Sequence, residues 1–344
     1  MLVLVAGGAG LLGFAAARRL LDEGHSVLAA DVFGDSGDGR TVTRERAAEL
    51  KAHPRATVVV TDLTNSLAVE GLFAAHRPAA VVNAARFDPA GPGGHALRTC
   101  AAASGTGIYI QLSSGALYAP APPAEGAAEP PHAREDERID AGGDPALEAE
   151  AEEESRTAGS GLPYVILRVF DPIGPAMPVS RFPREALEAI LAGEDVFLPG
   201  ESPRDFVHVE DVARGIALAL RKRPLGKTIN LGTGSATSPR WMLEALAGRA
   251  GKALKLALLP PPAGVPYPPR IADMEGAWTH LEFAPQHALE HTLDQIVAVR
   301  LGWLVAARPA PHEAAWSPPP EPPRDVSRRE LFDLFRRPFS RDRR

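Results

Sequence analysis

Three glycines, Gly7, Gly10 and Gly13, close the short apolar run LVLVA at residues 2–6 and constrain this chain more than any other feature. A strand that ends in a turn without Cβ atoms lets the backbone approach an anion, and a helix that starts there aims its free N–H groups at it. The spacing is G-x-x-G-x-x-G rather than G-x-G-x-x-G, and alone it also fits an ordinary glycine-rich turn. The flanking residues decide between the two. FAAARRLLDEGH continues as a helix with one apolar face and Gly24 as its stop. SVLAA at 26–30 then reads as a second buried strand ending on Asp31, about twenty residues past the glycines, where a carboxylate accepts from both hydroxyls of an adenosine ribose. That charge repels a 2′-phosphate, so the sequence predicts NAD in preference to NADP. Leu11 and Leu12, inside the same turn, join the expected cofactor contacts.

Strands and helices alternate beyond this unit. Thr57–Thr61, Ala79–Asn83, Gly107–Leu112 and Leu162–Phe170 read as strands, with helices at Val69–His76 and Ala96–Ser104. Further helices are expected at Arg184–Ala192, Val209–Leu220 and Pro239–Ala250, and a strand at Thr228–Leu231. Alternation of this kind predicts an α/β fold with right-handed crossovers and a parallel sheet covered on both faces. Ligands of such sheets lie at the carboxyl ends of the strands. Asp31, Asp62, Asn83 and the pair Ser113/Ser114 fall at those ends and outline one site.

Composition narrows the remaining classes. A chain of 344 residues with 45% hydrophobic content can bury a large core. A net charge of −6 argues against nucleic acid or an acidic membrane as the partner of its body. Cys100 is the one cysteine, which excludes an intramolecular disulfide and a multi-cysteine metal site and suits a reducing cytoplasm. No apolar stretch reaches the roughly 18 residues of a membrane helix, and the first apolar run lacks the basic leader of a signal peptide.

Two segments break the alternation. Pro120–Ser155 is rich in proline, alanine and acid, and reads as a solvated loop followed by an acidic helix around Glu148–Glu154. Residues 305–344 form a proline-rich linker and a tail whose last stretch, Arg324–Arg344, carries eight arginines against four acids. Ser327–Phe335 has the pattern of a short amphipathic helix. A solvated tail and a docking helix for a protein partner are the two readings it allows. The expected division is thus a cofactor-binding region over 1–160, remaining sheet elements with a substrate lobe over 161–304, and the tail.

The order of motifs resembles one family. VAGGAGLLG at 5–13, Asp31, Asp62–Leu63, VVNAA at 81–85, QLSSGALY at 111–118, LPYVILRVFDPIGP at 162–175, RDFVHVEDVA at 204–213 and INLGTG at 229–234 occur in sequence. Together they resemble the NAD-dependent epimerase/dehydratase family, extended short-chain dehydrogenases that act mostly on nucleotide sugars. The similarity covers roughly residues 1–300. It implies a Rossmann-type doubly wound parallel sheet with a small C-terminal substrate lobe, a nucleotide-sugar-like or other small polar substrate, and compatibility with a homodimer. Carried onto this chain, Gly7, Gly10 and Gly13 hold the pyrophosphate, Asp31 the ribose, and Asp62 and Leu63 border the adenine. Asn83, Ala84 and Ala85 line the way to the nicotinamide ribose. Ser114 matches the serine that hydrogen-bonds the reacting sugar oxygen, with Tyr118 as a second proton-handling candidate. Arg204 matches an arginine that contacts the substrate diphosphate, a structural ion pair being its alternative. Asp171 stands where many members carry an asparagine that touches the sugar nucleotide. For Asp205 and His208 a structural role is expected.

The chain departs from the family at one further place. Family chemistry uses a tyrosine and a lysine four residues later, on one face of a helix, the lysine lowering the tyrosine pKa. Tyr109, Tyr118, Tyr164 and Tyr267 are followed four positions on by Ser113, Pro122, Arg168 and Ile271, and no lysine lies between residues 52 and 221. Counting back from LPYVILR places Gly142 and Ala146 where the pair is expected. Two functions fit: an enzyme with a non-standard proton relay, using Ser114, Tyr118 or a base such as Glu148 or Glu150, or a sensor or scaffold that binds NAD without turnover.

Overall fold

The computed structural model describes residues 1–32, 40–85, 94–119, 131–140, 145–175, 177–179, 181–198, 202–258 and 270–302. The proline-rich linker, the basic tail, Gly142 and Tyr267 lie outside them. The first half carries β1 (Leu2–Ala6), α1 (Leu11–Asp22), β2 (Ser26–Asp31), α2 (Arg40–Lys51), β3 (Ala56–Val60), α3 (Ser66–His76), β4 (Ala80–Asn83) and α4 (His95–Ala103). β5 (Ile108–Ser114), β6 (His132–Ala133), α5 (Pro145–Ala158), β7 (Tyr164–Val169), β8 (Pro172–Ile173), α6 (Arg184–Ala192) and β9 (Val196–Leu198) follow. The chain continues through β10 (Val207–His208), α7 (Val209–Lys222), β11 (Lys227–Leu231), α8 (Pro239–Ala250), β12 (Leu256–Leu258), β13 (Ile271–Ala272), α9 (Glu275–Leu281) and α10 (Leu289–Arg300).

Seven parallel strands form one sheet in the order β11-β7-β5-β4-β1-β2-β3. Chain direction across the sheet reverses between β1 and β4, where Ala6 lies opposite both Ala30 and Asn83. Such a reversal opens a crevice at the carboxyl ends of the strands. The central strands β1, β2 and β4 are buried on both faces, as a doubly wound sheet requires, while the edge strand β3 is partly exposed. Phe14, Leu20, Ile216 and Leu220 cover one face with Val5, Val82 and Ile110. Leu72, Phe73 and Leu97 cover the other with Leu4, Val81 and Tyr109. A second apolar cluster joins Leu187 and Ile190 of α6, Met242 and Leu246 of α8, and Leu293 and Ile296 of α10. α6 and β9 precede β11, so the chain leaves the sheet, contributes to this second cluster, and returns.

Local signals account for several boundaries. Ser238 caps α8 by accepting from Trp241 N–H, Pro239 opens it, and Gly251 ends it in the left-handed region. Asn65 caps α3. Differences from the sequence expectation have physical reasons. β5 extends through Ser113 and Ser114, whose backbones pair with Arg168 and Val169. The expected loop after residue 120 includes β6, which pairs with the distant β13.

Candidate active site

The glycine turn sits at the reversal point. Gly7 has φ +76°, and a Cβ on it would lie 2.7 Å from both the Ala84 carbonyl oxygen and the Ala85 nitrogen. A Cβ on Gly13 would run into the Gly7 carbonyl oxygen. Gly10 is exposed, and it opens α1 without any side-chain cap. The helix therefore starts with no side-chain acceptor for its first N–H groups, as a pyrophosphate site requires. Leu11 and Leu12 follow, half-buried, and pack on Val209 and Ala213.

Asp31 ends β2 beside this turn, and its carboxylate accepts from Ala9 N–H at 3.0 Å. The same residue is held from its other side: Arg46 Nη1 donates to the Ala9 carbonyl oxygen at 2.8 Å. Arg46 is only 5% exposed. Its guanidinium and that of Arg18 lie 5.5 and 5.6 Å from the Phe14 ring. Burial lowers the Arg46 pKa to about 10. The sequence did not single out Arg46, because RTVTRERAAELK offers no apolar stripe to mark a helix.

The other strand-end residues divide by role. Asn83 is fully buried and donates to Gln111 Oε1 at 2.9 Å, while its own oxygen accepts from Ala85 N–H at 3.2 Å. It therefore shapes the Ala84–Ala85 turn that faces Gly7. Asp62 is exposed and closes a turn by accepting from Thr64 N–H and Oγ1. Leu63 is buried against α3 and β1 residues. Ser114, half-buried, accepts from Ala116 N–H at 3.1 Å and so caps the 3₁₀ turn Gly115–Leu117. Its hydroxyl hydrogen is not used in that bond, which leaves a donor at the strand end.

Tyr118 does not belong to the site. It is 0% exposed, and its hydroxyl donates to Asn230 Oδ1 at 2.6 Å. Arg168 and Arg270 lie over its ring, at 4.8 and 5.7 Å. Burial pushes its pKa up to about 12. A phenol so enclosed cannot exchange a proton with a substrate, so the expectation of a catalytic Tyr118 is corrected. Tyr109 is likewise fully buried, and Tyr164 begins β7, at the sheet edge opposite the glycine turn. Among the described residues no tyrosine is available to the crevice.

The acidic helix is α5, and it is not simply a solvated face. Glu154 receives both Nε and Nη2 of Arg168, at 2.9 and 2.7 Å, with both side chains under 8% exposed. Glu153 pairs with the buried Arg98 and also accepts from Gly94 N–H at 3.0 Å. These pairs fix α5 to α4 and β7. Ala146, Glu148 and Glu150 lie on the same helix, with Glu150 half-buried.

Asp171, just after β7, and Arg204 form a bidentate ion pair through Arg204 Nε and Nη2. The side chains remain 33% and 23% exposed. The Arg204 guanidinium lies over the rings of Phe182 and Phe206. Asp205 is fully buried and accepts from Thr233 N–H and Oγ1, Gly234 N–H and Ala272 N–H. Burial raises its pKa against those hydrogen bonds, and its role is to join three loops. His208 caps α7 and stacks on His287 at 4.2 Å between ring centres. Among the described residues no cluster of side chains suits a metal ion, and no helix is long and apolar enough to cross a membrane.

Comparison with known proteins agrees with this geometry. The profile of the NAD dependent epimerase/dehydratase family matches residues 3–232. A UDP-glucuronate 4-epimerase of Thermodesulfobacterium geofontis is 29% identical over 321 residues, covering 86% of this chain and 94% of that protein. The structure of the Thermus thermophilus UDP-glucose 4-epimerase complexed with NAD superposes with a TM-score of 0.74, at 26% identity, over 88% of this chain and 100% of that one. A dTDP-glucose 4,6-dehydratase from Bacillus anthracis, also with NAD, shares the fold at a TM-score of 0.77 and 17% identity, over 88% of this chain and 97% of that one. The cofactor is NAD, and the Cβ-free cradle of Gly7 and Gly13 with Asp31 at the second strand end fits it.

Proposed function

Because the chain belongs to the NAD-dependent epimerase/dehydratase family, we propose that it carries out hydride chemistry on a nucleotide-sugar-like substrate with a proton relay other than tyrosine and lysine. When bound, NAD supplies the acceptor and donor of a hydride at a carbinol carbon. Gly7, Gly10 and Gly13 receive the pyrophosphate, and Asp31 the adenosine ribose. Ala84 and Ala85, held by Asn83, border the nicotinamide side. Ser114 Oγ positions the reacting sugar hydroxyl through the donor that its bond to Ala116 leaves unused. The hydroxyl proton leaves to a carboxylate of α5, for which Glu150 is the half-buried candidate, or to a group of the substrate itself.

The observation that carries this reading is the convergence of the glycine turn, Asp31, the Ala84–Ala85 turn and Ser114 on one carboxyl edge of one parallel sheet. The named activities of the relatives supply the substrate class. A second reading, binding without turnover, is favoured by one specific fact: no lysine stands between residues 52 and 221 to tune a tyrosine. Loss of a positioned acid–base group costs about 10²–10⁴-fold in rate.

Single-turnover mixing of NAD-loaded protein with UDP- and dTDP-sugars, followed at the NADH absorbance and by chromatography of the sugar, separates the two. The expected result is product formed slowly, two to four decades below the ordinary enzyme range of about 1–10³ per second, and lost in Ser114→Ala. Tight binding of both ligands with no hydride transfer overturns the catalytic reading in favour of binding alone.

A further inference from the structure

The Arg204 guanidinium has the shape to grip a diphosphate, yet its fork is already filled. Nε and Nη2 both point at Asp171, the pairing a planar guanidinium also makes with phosphate. Phe182 and Phe206 lie under that guanidinium, and reciprocal backbone bonds between Arg204 and Thr237, at 2.9 and 2.8 Å, fix the backbone that carries it. Two buried arginines of the interior, Arg168 and Arg270, are committed to Glu154 and Glu137. A dianion arriving at Arg204 therefore meets a guanidinium whose fork a carboxylate already holds, and that carboxylate repels it.

The exposures make exchange feasible. Asp171 keeps 33% of its side chain in contact with solvent, so its carboxylate can turn to water without stranding a buried charge. Its backbone carbonyl is meanwhile held by Val207 N–H at 3.1 Å, and that bond is unaffected by a side-chain rotation. Arg204, gripped by its rings and backbone, stays in place.

We propose that Asp171 sets the affinity of this site for its ligand: it is a built-in competitor that a nucleotide diphosphate must displace from Arg204 before it binds. This rests on the nucleotide-sugar reading above. Binding is then weaker than at an unopposed arginine, because the ligand must first replace a bidentate carboxylate.

The test is calorimetric titration of UDP into the NAD-saturated full chain at fixed ionic strength. Asp171→Asn removes the competing charge with little change of shape and is expected to tighten UDP by about tenfold or more, an opposing charge having been lifted from a charge-assisted bidentate contact. Asp171→Ala should move in the same direction, which guards against a folding defect in either variant, and NAD affinity reports that the sheet is intact. Arg204→Gln placed on Asp171→Asn should return UDP affinity to the wild-type level or below. Equal UDP affinity in wild type and both Asp171 variants overturns the proposal and leaves the nucleotide reading standing. UDP binding to none of them, with NAD binding intact, overturns both.

Discussion

The Asp31 carboxylate accepts a hydrogen bond from the Ala9 N–H at 3.0 Å, so the residue that would select the cofactor also holds the loop that would grip its pyrophosphate. The two tasks are coupled, since a ribose drawn to Asp31 meets a glycine turn already in register. NAD should bind more tightly than NADP, whose 2′-phosphate faces this charge. Asp31→Ala should narrow the gap by about 1–3 kcal/mol, the range for a lost charge-assisted contact. Titration of both cofactors into both proteins checks this, and NADP binding as tightly as NAD would remove Asp31 from the role.

Arg46 holds Ala9 from the opposite side, through its carbonyl. The bond is buried, so its removal is not made good by water. Arg46→Met, which keeps the stem packed on Phe14, should weaken NAD by about tenfold, corresponding to roughly 1.4 kcal/mol of loop ordering. Arg46→Lys should recover part of that, since an ammonium can still donate to the carbonyl. Undiminished NAD affinity in the methionine variant, with a normal circular dichroism spectrum, would make Arg46 an ordinary packing residue.

What the sequence made legible follows from how local each signal is. Gly7, Gly10, Gly13 and Asp31 act through their own backbone or strand-end position, and a single stretch of about thirty residues displays them. Arg46 was invisible because α2 is anchored by a guanidinium and by Leu50 instead of by an apolar stripe. Glu153 and Glu154 read as solvated acids because their partners, Arg98 and Arg168, lie 55 and 14 residues away. Tyr118 departs from the sequence expectation for a related reason. It follows the strand-end serines closely in sequence, but the 3₁₀ turn Gly115–Leu117 directs it into the core, toward an asparagine 112 residues distant.

Tyr118 therefore makes a clean control. Tyr118→Phe removes the donor to Asn230 Oδ1 in a fully buried setting. It should cost about 1–3 kcal/mol of stability through the unsatisfied acceptor, read from denaturant unfolding. Any turnover found should keep its rate within a few-fold. A drop of two decades or more would restore Tyr118 to the chemistry.

The buried pairs of α5 predict a larger effect. Arg98→Ala leaves Glu153, in an interior where the pair is under 10% exposed, facing the exposed Arg156 at 3.8 Å as its remaining cationic neighbour. Breaking one partner of such a pair costs about 3–5 kcal/mol. Replacing both, as Arg98→Met with Glu153→Leu, should recover most of the loss, because it is the unpaired charge that is costly. A double mutant as unstable as the single would show that Gly94, which also donates to Glu153, carries the attachment.

His208 sets a pH dependence with a definite sign. Burial first, and then the stacked His287, lower its pKa from 6.5 to about 4. Gln295 and Asp211 oppose that shift without reversing it. The folded state therefore resists a proton that the unfolded chain accepts below pH 6.5, and stability should fall as pH drops from about 6.5 toward 4. The loss between pH 7.5 and 5 should be about 2 kcal/mol for a shift of this size. Asp211 acts in a different window. Its pKa falls to about 2, its bonds from His287 outweighing burial, so its contribution is present above the ordinary carboxylate range and is lost only as pH falls through about 2. His208→Asn keeps an acceptor for the Glu210 N–H that caps α7 and removes the titration. Chemical denaturation at pH 7.5 and 5 should then show a steep difference in the wild type and a shallow one in the variant, even if the variant is less stable at both. An unchanged slope would place the acid sensitivity elsewhere, in the carboxylates.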